Sequence, residues 1–273
     1  MLWEYWQVWR TPVSLPYVKP MGFLHESIAM RARAKRCQTA WQEHYQHCQH
    51  SILQAIQLAE VHNKTQQKTA LILGAGHLHD IPLEYLSQKF QQVILVDLLF
   101  SQEARRQLKR FANIELVEQD VTENLQTIYQ GKLESAQQLA PPQGYLTEDI
   151  GLVVSLNLIT QLPLLPAKYL MKHSGFTLQQ AQEVSQALIQ QHLAYLRRFE
   201  CPVCLIADRN IEEFDRHNHC IDGYNPWWEV EPPEAQESWQ WLLAPYGEIS
   251  RNRCQIHQVG VSYFQGNRER ELD

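Results

Sequence analysis

The chain has 273 residues, 44% hydrophobic and 20% charged, with a formal net charge of -6. That balance excludes nucleic-acid binding driven by bulk positive charge. No apolar run reaches the roughly 18 residues of a membrane span, and the six cysteines lack framework spacing, which reads as reduced thiols in a cytoplasm.

Residues 1 to 23 carry Trp3, Tyr5, Trp6 and Trp9, then Pro12, Pro16 and Pro20. Aromatic side chains bury large areas, so this stretch reads as an irregular arm lying on the main domain, or as an aromatic wall over a cleft. Its opening has Glu4 early and no apolar core, which does not fit a secretion signal. Residues 24 to 61 read as one long helix or two in series. Ala34, Cys37, Trp41, Tyr45, Cys48, Ile52 and Ala55 recur every three or four residues as a buried stripe. Arg31, Arg33, Lys35 and Arg36 form a basic cluster, a solvated face or a contact for an anionic substrate. His44, His47 and His50 share a helix face. No acid or cysteine completes a ligand set around them, so no metal is expected. The polar break from His62 to Lys68 divides an N-terminal extension, 1–64, from an α/β domain, 65–273.

That domain opens with Ala70-Leu71-Ile72-Leu73, an apolar run of strand length. Gly74-Ala75-Gly76 follows at once, and glycines two apart permit a sharp turn and close approach of a ligand to the backbone. Pro82 is read just inside a helix bearing Ile81, Leu83, Leu86 and Phe90. A second strand, Val93 to Val96, ends on Asp97. Strand, glycine turn, helix, strand and terminal acid make a nucleotide-binding βαβ unit. A dinucleotide fold wants a third glycine where His79 stands.

The alternation continues with a helix over 102–111, a strand over 114–119 followed by Asp120-Val121, and a loop over 131–144. A fourth strand, 150–156, precedes Asn157. A helical stretch over 168–199 breaks at Ser174-Gly175, with Thr177 capping its second piece. A fifth strand, 202–207, ends at Asp208; Cys201 and Cys204 fall on its opposite faces, against a redox or zinc role. Residues 209–233 read as a long irregular connection, 238–243 as a helix, and 247–264 as a two-stranded hairpin. The tail from Gly266 is charged.

On these residues the chain resembles the class I S-adenosylmethionine (SAM) methyltransferases over roughly 65 to 265. It departs from them at Ile72, often an acid, and at Leu78, often a glycine. The resemblance implies a doubly wound, mostly parallel sheet with helices on both faces and a C-terminal antiparallel hairpin. It implies that Gly74, Ala75, Gly76, Asp97 and Leu98 hold the cofactor. Asp120 and Val121 would lie beside adenine, and Asn157 beside the sulfonium. Base-methylating signatures after the fourth strand are absent, which points to a small-molecule acceptor.

The leading expectation is therefore a cytoplasmic SAM-dependent methyltransferase. A catalytically silent SAM-binding protein and, more weakly, an NAD(P)-dependent oxidoreductase stand as alternatives. Residues 209–233 are the expected lid. His217 or His219 would serve as general base, with Tyr224, Trp227 and Trp228 walling off water. The oligomeric state is not legible.

Overall fold

The computed structural model describes residues 13–62 and 68–265. The four aromatics of the arm, the boundary at 63–67 and the charged tail lie outside the described residues.

Two helices in series come first, α1 (Phe23–Arg36) and α2 (Gln38–His62). The α/β domain then runs β1 (Thr69–Leu73), α3 (Leu83–Lys89), β2 (Gln92–Asp97), α4 (Gln102–Leu108), β3 (Ile114–Glu118), α5 (Leu125–Tyr129) and β4 (Ile150–Leu156). It continues with α6 (Leu164–His173), α7 (Leu178–Leu196), β5 (Pro202–Asp215), β6 (Cys220–Tyr224), β7 (Glu237–Ala244) and β8 (Arg253–Gln265). The strand order is β3-β2-β1-β4-β5-β8-β7, with β6 paired to β5 off this path. β1 to β5 are mutually parallel, and β8 lies antiparallel between β5 and β7.

The register follows from burial on both faces. β4, IGLVVSL, is buried at every position, as a parallel strand covered on both sides must be. In β1, Ala70 and Ile72 enter the core under α2 and α3, while Leu71 and Leu73 enter the core under α7. A one-residue slip would exchange those sets. Cys204 lies in the first core and Cys201 in the second, so the CxxC thiols do face opposite ways.

The stripe on α2 packs on β7: Trp41 Nε1 donates to Leu243 O at 2.9 Å, and Ser51 Oγ to Glu237 Oε2 at 2.9 Å. Arg33 and Arg36 both bond to Glu248, tying α1 to the turn after β7. The helical break is as expected: Gly175 has φ +71, and Thr177 with Gln180 forms a reciprocal capping box for α7.

Four boundaries differ from expectation. Pro82 stands at the N-cap of α3, after a short 3-10 turn, Leu78–Asp80, rather than inside the helix. Residues 238–243 form a strand, because Trp239, Trp241 and Leu243 alternate into the core with period two. The hairpin is therefore β7 with β8, and not two strands within 247–264. Residues 209–224 are not irregular, since β5 runs on to Asp215 and folds back as β6; 225–233 alone has no strand or helix. The extension is largely polar and β6 is wholly exposed, so apolar periodicity gives no signal. Pairing with β8 is what keeps it extended.

Candidate functional site

The parallel strands end together at one edge, where a doubly wound sheet receives its ligand. Gly74 turns the chain there with φ +87, and its N–H donates to Val96 O at 2.9 Å. A Cβ at Gly74 would stand 2.5 Å from Leu156 O, so the turn wedges against β4 and only glycine fits. Ala75 is buried behind it.

Asp97 faces this turn. Its Oδ2 accepts from Gly76 N at 2.8 Å and its Oδ1 from Leu98 N at 2.7 Å. Burial pushes its pKa up to about 6, against the pull of these N–H groups. The native state thus holds the proton more tightly than the unfolded chain, whose Asp titrates near ~3.9. The stability this contributes is complete below about pH 4 and is lost as pH rises through about 6. Asp97→Asn should therefore gain in melting temperature relative to wild type between pH 4 and 7. A constant difference across that range would contradict the assignment.

Asp120 is buried, and its own turn uses its carboxylate: Oδ1 accepts from Thr122 N at 2.8 Å and Thr122 Oγ1 at 2.7 Å, and Oδ2 from Leu125 N at 2.8 Å. Asp120 is not the N-cap of α5, which is Asn124, but its carboxylate closes the preceding turn and takes the first helical N–H, at Leu125. Val121 beside it is half-buried against the second core. Asn157 closes β4 with φ +48, its N–H donating to Ile206 O at 2.8 Å. Asn tolerates that left-handed backbone better than most residues.

The edge is covered. Tyr17, Val18, Met21 and Leu24 share a core with Leu98 and Leu99, and Tyr17 interacts electrostatically with Asp120. Ser14 Oγ donates to Glu118 Oε2 at 2.5 Å. Arg31 from α1 interacts with Glu103 and with His77 in the glycine turn, and its buried Nε has no hydrogen-bond partner. An open surface depression lined by Gln91, Gln92 and Asn113 lies at the opposite, amino end of β2 and β3. No titratable cluster gathers there.

Gly74, Ala75, Gly76, Asp97, Leu98, Asp120, Val121 and Asn157 are thus at one edge. His217 and His219 are not brought to it. They sit exposed in the turn between β5 and β6, where Asp215 accepts from both backbone N–H groups. From Asp208 to Asp215 the strand runs on by roughly 23 Å at ~3.3 Å per residue. Of the proposed wall, Tyr224 is exposed, while Trp227 is fully buried under the sheet and its Nε1 donates to Asp208 O at 2.7 Å. Trp227 therefore pins this loop to the core. Trp227→Ala should cost about 3–5 kcal/mol of stability. His217→Ala and His219→Ala should leave melting temperature, and the affinity of any ligand taken at the carboxyl edge, unchanged. Denaturant unfolding and calorimetry check both, and a histidine variant that loses affinity would overturn this placement.

The histidine trio on α2 is dispersed: His47 stacks on Trp239 with centroids 5.0 Å apart, and His50 pairs with Gln54. His44 instead points into the domain with Cys48, toward Asp80 and Asn157. Asp80 and Cys48 went unread as site residues. The spacing of four between His44 and Cys48 was visible on the helix, but their acid comes from a turn after β1.

No protein-family model and no curated protein sequence matches the chain. Among solved structures it is similar to the 23S rRNA methyltransferase ErmE, with 11% identity, 81% of this chain and 69% of that one covered, and a TM-score of 0.29. It is similar to the Burkholderia thailandensis 1,6-didemethyltoxoflavin-N1-methyltransferase, solved with S-adenosylhomocysteine (SAH), at 12% identity, 94% and 93% coverage and a TM-score of 0.37. The DhpI–SAH complex gives 12%, 89% and 97%, and 0.36. Likenesses of that order decide nothing; the strand order does. With β8 inserted antiparallel between β5 and β7, the fold is class I methyltransferase-like.

Proposed function

We propose that the chain binds SAM at the carboxyl edge of β1 to β4 and transfers its methyl group to a small-molecule acceptor. The observation that carries this reading is the pairing of Asp97 with Gly76. An acid at the end of β2 is held 2.8 Å from the backbone N–H of a turn that has no side chain to block it. That arrangement suits a ribose, whose two hydroxyls can donate to one carboxylate.

When bound, SAM supplies an activated methyl on a cationic sulfur. The chain's own residues then have to orient it, since in-line displacement depends mainly on geometry. Asp97 would hold the ribose. The backbone of Gly74 to Gly76 would face the nucleoside, and Leu98, Asp120 and Val121 the adenine. Asn157 would stand toward the reacting end. The cover formed by Tyr17, Val18 and Met21 excludes water and has to open for the cofactor to enter. Arg31, a partly buried cation beside the turn, suits a carboxylate of the cofactor or of an acidic acceptor.

The net charge of -6 supports a small molecule over a nucleic acid as acceptor. Unpaired cysteines, five of them buried, suit a reducing cytoplasm. A silent SAM-binding protein is the second reading, favoured by the closed cover and by an Asp120 carboxylate already saturated within its own turn. Incubation with methyl-labelled SAM and a small-molecule extract separates the two. Label in a small product supports the enzyme; bound SAM with no labelled product under any extract supports the silent binder.

A further inference from the structure

Behind the carboxyl edge, four polar side chains meet in the interior. His44 and Cys48 stand one helical turn apart on α2 and face the same way. Asp80 comes from the 3-10 turn and Asn157 from the end of β4. His44, Cys48 and Asp80 are buried, with relative exposures of 2%, 0% and 7%. Their ligand atoms all lie within 4.8 Å of one another, the one such group among the described residues. The Asn157 amide nitrogen lies 3.3 Å from His44 Nε2, 3.4 Å from Asp80 Oδ2 and 3.8 Å from Cys48 Sγ.

As a hydrogen-bond cluster this set is poorly satisfied. Trp239 Nε1 donates to His44 Nδ1 at 3.1 Å, so the neutral ring carries its proton on Nε2, whose neighbours are a weak acceptor, Cys48 Sγ at 3.6 Å, and the Asn157 amide at 3.3 Å. Asp80 Oδ1 and Asn157 Oδ1 are buried with no partner. Buried polar atoms left unpaired are destabilising. Neither a lysine nor an arginine is among the four.

We infer that His44, Cys48 and Asp80 form a site for a divalent borderline metal of the zinc type, with Asn157 closing its fourth side. One imidazole nitrogen, one thiolate and one carboxylate are a zinc donor set, and a tetrahedral ion takes three or four such ligands. Thiolate and carboxylate together neutralise a dication, which removes the burial cost of each charge. Binding releases the Cys48 thiol proton, and any proton on Asp80, to solvent. The Asn157 amide turns so that its oxygen faces the ion. Ligation through His44 Nε2 moves the ring proton to Nδ1, so the buried Trp239 N–H loses its acceptor and has to turn away, a cost that metal binding must exceed. The site replaces the expectation of a metal-free chain, and it does not rest on the methyltransferase reading.

The test uses full-length protein without an affinity tag, stripped with chelator and titrated with Co2+ alone. One equivalent should give thiolate-to-cobalt charge-transfer absorption and change tryptophan emission through Trp239. Cys48→Ser should abolish the absorption. Asp80→Asn and His44→Gln should weaken binding at least tenfold, while Trp239→Phe, lacking the competing donor, should bind no more weakly than wild type. Cys220→Ser, at the exposed cysteine, should change nothing. Should Cys48→Ser not fold, Asp80→Asn with a normal melting temperature decides. Absent absorption at one equivalent, absorption that survives Cys48→Ser, or wild-type affinity in folded Asp80→Asn would overturn the site.

Discussion

Asp97→Ala is expected to weaken SAH binding by about ten- to hundredfold. Hydrogen bonds to a charged group contribute about 1.5–3 kcal/mol, and each 1.4 kcal/mol is tenfold in affinity. The substitution removes the one carboxylate that faces both the glycine turn, through Gly76 N, and the start of the next segment, through Leu98 N. Stability should change less than affinity. Burial already opposes ionisation of this acid, so removing it also removes that burial cost, which offsets part of the two lost N–H contacts. Calorimetric titration gives the affinity and thermal unfolding checks the fold. Unchanged affinity in folded protein would remove Asp97 from the site.

Gly76→Val should abolish SAH binding. A Cβ at Gly76 would lie 2.8 Å from Asp97 Oδ2 and 3.0 Å from its Cγ. The carboxylate can swing aside, so the fold can accommodate the change. The ribose acceptor is then misplaced, and a branched side chain fills the ligand's space. Gly74 is a poorer probe. Its Cβ would meet backbone, Leu156 O at 2.5 Å, and its φ of +87 disfavours any L side chain, so a substitution there tests folding. Retained SAH binding by folded Gly76→Val would show that the ligand does not approach this turn.

The β1–turn–β2 core was legible because its signals are local. A short apolar run, two glycines and an acid about twenty residues on each require a particular backbone, and together they fix β1, the turn and the end of β2. The break between α6 and α7 was legible for the same reason, at Gly175 and the Thr177 cap. β7 was not: six residues containing two tryptophans fit either period, and only pairing with β8 decides. The run of β5 past Asp208 was hidden because its side chains are largely polar, so it gave the pattern of a loop. That misreading made His217 and His219 look like lid residues. The cluster of His44, Cys48, Asp80 and Asn157 was illegible for a different reason. Its members are spread over 114 residues and meet only when α2 packs across the sheet edge.

The central claim is that the edge at Gly74, Gly76 and Asp97 takes an adenosine-bearing sulfonium cofactor. Parallel calorimetric titrations of the purified protein with SAH and with NADH test it most directly. The account predicts one SAH site per chain at micromolar or tighter affinity, lost in Gly76→Val, and no NADH binding at tenfold higher concentration. NADH bound more tightly than SAH, or SAH binding that persists in folded Gly76→Val, would contradict it.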